Sequence, residues 1–100
     1  MPTFDTIRKI ALAMPGVEDA TSYGTPALKV KKNLMIRLCE DGDVVFIVGF
    51  DKRDILMAAR PEAFFTTDHY RDYPSVLVRL GKVTKGELKD LVQWAWEFRQ

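Results

Sequence analysis

The sequence ALKVKKNLMIRLCEDGDVVFIVGF, residues 27–50, decides the fold because its apolar residues recur at every second position. Leu28 and Val30 alternate with lysines, and the stretch 34–38 continues the same period. Alternation of this kind is typical of β-strands that bury one face. The stretch 44–50 is apolar at nearly every position, which predicts a strand in the centre of the sheet.

Turn signals separate these strands and predict antiparallel hairpins. Lys32-Asn33 is predicted as the first tight turn. The second is predicted over residues 40–43, where Asp41-Gly42 tolerates the positive φ angles that hairpin turns require. Upstream, the segment 21–26 mixes a β-former with glycine and proline, which predicts a short strand broken by a turn.

Helical patterns flank the strands. We expect a first helix over residues 4–14 behind Thr3, a second from Asp51 to about Arg60, and a last one that begins with Thr84 and Glu87 as a capping box. A further strand is predicted over residues 75–80. The first and last helices should pack on one sheet face through Ile7, Ile10, Leu88, Leu91 and Ala95.

The order of these elements predicts an α+β fold. The predicted order is a helix, three or four strands, a helix, one or two strands and a final helix. This order favours a two-layer fold, with the helices on one face of an antiparallel sheet of about four to six strands. One hundred residues are typical of one domain, so residues 1–100 are expected to form a single unit.

Composition limits the classes of function. The longest apolar stretch and the amino-terminal residues predict neither a membrane span nor a signal peptide. Cys39 is the only cysteine, which excludes an intrachain disulfide and suits a reducing cytoplasm. No metal or cofactor is expected, and we expect a monomer. Because the net charge is only +1, a nucleic-acid site would have to be a local patch.

Such a patch is predicted between Ala20 and Cys39, a stretch without acidic residues. Its positive side chains are Lys29, Lys31, Lys32 and Arg37. Strand alternation would place Lys29, Lys31 and Arg37 on one polar face, where they could contact phosphate oxygens. The alternative is a solvated face whose lysines discourage edge-to-edge pairing of sheets.

Two other features carry candidate functions. His69 is the only histidine, and an enzyme centred on it, with Tyr23, Tyr70 and Arg79 as helpers, lacks any recognisable catalytic motif. Tyr70, Arg71 and Tyr73 could instead stack on bases and join the basic patch. Trp94 and Trp96 stand two apart on the last helix, so at least one should be partly exposed, which leaves a protein-interaction surface as an alternative.

Three segments carry a family resemblance: TSYGTPALKV (21–30), DHYRDYPSVLVRL (68–80) and MPGVE (14–18). Together they resemble the MmcQ/YjbR family of small bacterial proteins. That resemblance implies an antiparallel α+β fold similar to the CyaY/frataxin shape, with a "double wing" arrangement described as DNA-binding. The matching positions are Ser22, Tyr23, Gly24, Pro26, Lys29, His69, Tyr70, Tyr73, Pro74 and Arg79.

The patch and the resemblance together predict a cytoplasmic, non-enzymatic protein that binds DNA weakly and without strong sequence preference. Its phosphate contacts are expected from Lys29, Lys31, Lys32, Arg37 and Arg79. A protein-interaction domain is the first alternative and an enzyme centred on His69 the second.

Overall fold

The computed structural model describes residues 2–100, which form three α-helices and six strands. The helices are α1 (Phe4–Leu12), α2 (Phe50–Ala59) and α3 (Lys85–Phe98). The strands are β1 (Val17–Ser22), β2 (Thr25–Val30), β3 (Asn33–Leu38), β4 (Val44–Ile47), β5 (Phe64–Phe65) and β6 (Ser75–Val78). All strand pairs are antiparallel, in the order β1-β2-β3-β4-β6-β5. The predicted α+β class is confirmed.

The main core lies between one face of the sheet and the helices. Ile7 of α1 and Leu88, Leu91 and Ala95 of α3 are all buried in it, as the helical spacing predicts. Ile10 is partly buried and packs against the same core. Within residues 2–100, none of the helices combines the length and apolar character needed to cross a membrane.

The turn between β2 and β3 differs from the prediction by one residue. Val30 pairs with Asn33, so the two turn residues are Lys31 and Lys32, with φ angles of 53° and 67°. Lys31 therefore lies in the turn and not on the polar face of a strand. A bulge between Leu28 and Lys29 then shifts the register of the pair.

Several boundaries also differ from the sequence-based expectation. The first strand begins earlier, at Val17. The strand predicted over residues 44–50 ends at Ile47, and α2 begins at Phe50 instead of Asp51, because Gly49 provides its N-cap with a φ of 96°. The strand predicted over residues 75–80 ends at Val78, ahead of a 3-10 turn at Leu80–Lys82.

The second face of the sheet carries a smaller apolar cluster. Val45, Ile47 and Leu77 are buried there, and within residues 2–100 the apolar side chains that pack on them come from strands and loops. The cover comes partly from residues 66–74, which connect β5 to β6 and which we call the covering loop. Tyr70 from this loop packs on the cluster. The candidate site lies between the covering loop and this face of the sheet.

Candidate functional site

A cavity of about 200 Å³ lies beneath the covering loop on the second face of the sheet. Among its lining residues are five positions of the sequence resemblance, namely Tyr23, His69, Tyr70, Tyr73 and Pro74. They come from two segments that are more than forty residues apart in the sequence. The fold brings them together because the β1–β2 turn and the covering loop both overhang the strands β3 and β4.

Arg37 joins the basic strands to the covering loop. Its Nη1 donates a hydrogen bond of 2.9 Å to the Tyr70 hydroxyl, and its Nε donates one of 3.3 Å to the Ser22 carbonyl. Its guanidinium carbon also lies 5.1 Å from the centre of the Tyr23 ring, within cation–π range. The sequence left open whether the aromatic segment and the basic patch meet, and Arg37 is the residue that connects them.

The covering loop is held in place by α2 and by the end of β4. Arg53 Nη1 donates hydrogen bonds to the carbonyls of Arg71 and Tyr73, at 2.7 and 3.3 Å. The backbone N–H groups of Val48 and Gly49 both donate to the Pro74 carbonyl, at 3.0 and 2.9 Å. These bonds attach the loop at its carboxyl-terminal half, so the cavity has a fixed wall there.

His69 makes aromatic contacts at the rim of this cavity. Its ring packs edge-on against Tyr70, with centroids 4.7 Å apart, and lies 6.2 Å from the ring of Tyr73. His69 and Tyr73 are exposed, whereas Tyr70 is half-buried. The histidine therefore belongs to an aromatic cluster at the mouth of the cavity.

Two residues that the sequence analysis did not single out complete the cavity. Arg99 reaches it from the end of α3, where its Nε donates a 2.8 Å hydrogen bond to the Leu34 carbonyl. Burial lowers the pKa of Arg99, since desolvation disfavours its charged form. Ser75 lines the cavity at 1% exposure, and its Oγ has no hydrogen-bond partner within residues 2–100.

The five predicted phosphate-binding residues do not form one cluster. Lys31 and Lys32 are exposed at the β2–β3 turn, whereas Lys29 is half-buried and pairs across the sheet with Glu18. Opposite charges directly across a strand pair attract each other, so Glu18 offsets part of the positive charge of Lys29. Arg37 lies in the cavity wall instead.

Arg79 is separated from the other basic residues by strand β4. Its guanidinium lies over the Phe65 ring at 4.3 Å, and its Nη1 donates to the Glu62 carbonyl at 3.2 Å. The side chain is thus engaged at the β5–β6 edge of the sheet. The predicted set divides into the β2–β3 turn, the cavity and this edge.

Both tryptophans of α3 are half-buried, in agreement with the expectation that they cannot share one core stripe. Trp96 Nε1 donates to the Pro15 carbonyl at 2.9 Å, and the Lys52 ammonium lies 4.8 Å from the Trp94 ring centre. The apolar surface at this end of the molecule comes instead from exposed Phe50 and Ile55.

Comparison with known proteins gives a family-model match and several relatives. A family model described as YjbR matches residues 12–98. The uncharacterized protein Mb2600 of Mycobacterium bovis and the uncharacterized protein Rv2570 of Mycobacterium tuberculosis are each 39% identical to this chain over 57 residues. The alignment covers 55% of this chain but only 44% of either relative, so the chain spans less than half of their length.

A crystal structure shows the same fold. Deinococcus radiodurans protein DR2400, described with the family-model domain DUF419, superposes with a TM-score of 0.80. The superposition covers 98% of this chain and 78% of that protein at 19% sequence identity. A likeness at this identity concerns the arrangement of helices and strands.

Proposed function

This chain belongs to the YjbR family, and we propose that it is a non-enzymatic nucleic-acid-binding domain whose phosphate contacts come from the turn between β2 and β3. Lys31 and Lys32 are both exposed at this turn, and the stretch between Ala20 and Cys39 contains no acidic residue. Exposed lysines on a projecting turn can approach a phosphate backbone without a change in the fold.

The conformation of Lys31 and Lys32 is the observation that carries this proposal. Both residues adopt left-handed φ angles, 53° and 67°, which cost a non-glycine residue about 1–2 kcal/mol each. A two-residue hairpin turn is ordinarily served by Asn-Gly or Asp-Gly. Backbone strain is frequent at functional positions. Asn-Gly would form this turn with less strain, whereas Lys31 and Lys32 place two adjacent positive charges at its tip.

Exposed tyrosines at the cavity mouth provide a second means of binding nucleic acid, apart from the turn lysines, because Tyr23 and Lys31 lie at opposite ends of β2. Tyr23 is 83% exposed and Tyr73 is 56% exposed, and both stand at the mouth of the cavity on the second sheet face. Aromatic rings beside positive charge stack on unpaired bases. The arrangement therefore favours single strands over duplexes, since bases in a duplex are not free to stack on a side chain.

Fewer phosphate contacts are expected than the sequence alone predicts. Arg37 is bound to Tyr70, and Arg79 lies at the far edge, which leaves Lys31, Lys32 and in part Lys29. Two to three contacts imply a slope of log K against log salt of roughly −1.5 to −2 for single strands. We expect micromolar or weaker affinity at physiological salt.

The decisive experiment replaces both turn lysines with the residues that the turn geometry prefers. The variant Lys31→Asn/Lys32→Gly should raise the free energy of unfolding by about 1 kcal/mol, because it relieves left-handed strain. It should also lose at least tenfold in affinity for a fluorescent single-stranded oligonucleotide at low salt. Anisotropy titrations and urea denaturation measure the two effects.

The matched control removes the same charge from the helical side of the molecule. Lys85 and Lys89 are exposed on α3, so Lys85→Gln/Lys89→Gln lowers the net charge equally. It should bind the oligonucleotide within about twofold of wild type, since bulk charge acts weakly at this size. Equal losses in the two variants, or no binding by wild type at about 50 mM salt, would reject the β2–β3 turn as the site.

A protein partner is the second candidate, favoured by the exposed apolar residues beside α2. Ile55 is 65% exposed, and Phe50 and Phe98 line the same depression on the surface. Contact through these residues would bury apolar surface and would respond little to salt. The salt dependence of binding therefore separates the two candidates.

A further inference from the structure

The cavity beneath the covering loop contains two guanidinium groups and no carboxylate paired with either. Within residues 2–100, neither Arg37 nor Arg99 forms a salt bridge, although both line the cavity. Removing an arginine from water without an opposite charge is unfavourable. Their hydrogen bonds go to neutral groups, namely the oxygens of Ser22, Tyr70 and Leu34 and the sulfur of Cys39.

Ser75 provides an independent observation in the same cavity. Its side chain is buried at the start of β6, in register with Ile47, and its Oγ has no partner within residues 2–100. A buried hydroxyl without a hydrogen bond is unfavourable and is rare in folded proteins. The hydroxyl is therefore available to donate to a ligand atom in the cavity.

Apart from His69, Tyr23 and Tyr73 at the mouth, the remaining wall is mostly apolar. Leu34, Val45, Ile47 and Pro74 line it, and Tyr70 closes one side. A concave apolar pocket with a few convergent polar groups is the usual form of a small-molecule site. Its volume of about 200 Å³ is below the range typical of drug-sized ligands, which limits the occupant to a small molecule.

From this geometry we propose that the cavity binds a small organic anion with an apolar body, of which an aromatic monocarboxylate is the simplest example. The anionic group pairs with Arg99 and accepts a hydrogen bond from Ser75. The body lies on Val45 and Ile47 beneath Tyr70. This site is separate from the turn lysines and does not depend on nucleic-acid binding.

The acidic residues nearby fix the orientation of the ligand. Glu40 and Asp41 line a neighbouring, more open depression together with Arg37, whereas Arg99 does not line it. A carboxylate at the Arg37 end would approach these acids and be repelled. The Arg99 end is therefore the favoured position for the negative charge.

Titrations followed by amide chemical shifts test the site with defined probes. Benzoate should shift the backbone amides of Ser75 and Arg99 in a saturable manner, while benzamide, a neutral molecule of the same shape, should bind at least tenfold more weakly. Phenyl phosphate tests whether the cavity accepts another anionic group on the same apolar ring. Inorganic phosphate tests an anion that lacks an apolar part. Inorganic phosphate should bind at least tenfold more weakly than benzoate.

Substitutions test which side chains contact the bound benzoate. Ser75→Ala and Arg99→Gln should each weaken benzoate binding by roughly tenfold, because each removes a hydrogen bond to a charged group. Arg79→Gln, an exposed arginine outside the cavity, and Lys31→Asn/Lys32→Gly should bind benzoate as wild type does. Thermal melts establish that every variant is folded at the titration temperature.

Three results would overturn the proposal. They are the absence of any shift with benzoate up to millimolar concentrations, equal binding of benzoate and benzamide, and equal binding of benzoate and inorganic phosphate. Unchanged affinity in both Ser75→Ala and Arg99→Gln would equally reject the assignment. Loss of oligonucleotide binding alone has no bearing on it, since the lysine variant separates the two sites.

Discussion

Ser75 places a hydroxyl in the interior of the sheet at a cost in stability. Its Oγ is buried without a partner, and a group in that state costs about 1–3 kcal/mol. Ser75→Ala should therefore raise the free energy of unfolding by about 1 kcal/mol in urea denaturation without ligand. A loss of stability of that size would show that the hydroxyl already has a partner in solution.

At the same scale, the sequence identified the residues at the cavity mouth but not their common location. Tyr23 and Tyr70 were singled out as helpers of His69, Tyr70 and Tyr73 as candidates for stacking on bases, and all three as positions of the resemblance. Their convergence depends on sheet register, which local patterns do not determine at this separation. Arg99 was missed because a charged residue at the end of a helix gives no signal that it folds back towards the sheet.

At the scale of elements, α3 begins with the predicted capping box. The Thr84 N–H donates to the Glu87 carboxylate at 3.0 Å, and the Glu87 N–H donates to the Thr84 hydroxyl at 3.2 Å. Arg60, just after α2, also binds Glu87 and is the main reason that the Glu87 pKa lies below its ordinary value of 4.5. One carboxylate thus connects the ends of two helices.

The lowered pKa of Glu87 predicts a pH-dependent contribution to stability. A carboxyl whose pKa is lower in the folded state stabilises the protein above pH 4.5, and this contribution is lost as the pH falls through the folded pKa. Glu87→Gln should be less stable than wild type at pH 7, and the difference should shrink below pH 4.5. Urea denaturation at pH 7 and pH 3 measures it, and a constant difference would contradict the linkage.

Helices and strands were predicted to different degrees for a physical reason. Helix periodicity and capping are local, so the first and last helices were found from the sequence, with Thr84 and Glu87 in their observed roles. The β2–β3 turn was misplaced because Lys31-Lys32 lacks the glycine or asparagine that signals left-handed residues. The early part of β1 was missed because Glu18 and Asp19 are poor strand formers.

At the scale of the whole molecule, most of the buried apolar volume lies between the sheet and α1 with α3. Leu91 is buried in this core and does not line the cavity beneath the covering loop. Leu91→Ala should lower the free energy of unfolding by about 2–5 kcal/mol, measured by denaturant melts. A change below half a kcal/mol would mean that α3 contributes little to the core.

The strand order has a further consequence at the two margins of the sheet. On one side β5 has only two residues, and on the other β1 carries Glu18 and Asp19, with Asp19 bound to Arg8 at 2.8 Å. Short or charged outer strands resist the addition of a further strand, which is how sheets avoid amyloid-like stacking and domain exchange. A peptide is therefore poorly accommodated as a seventh strand, and recognition is left to the faces and turns.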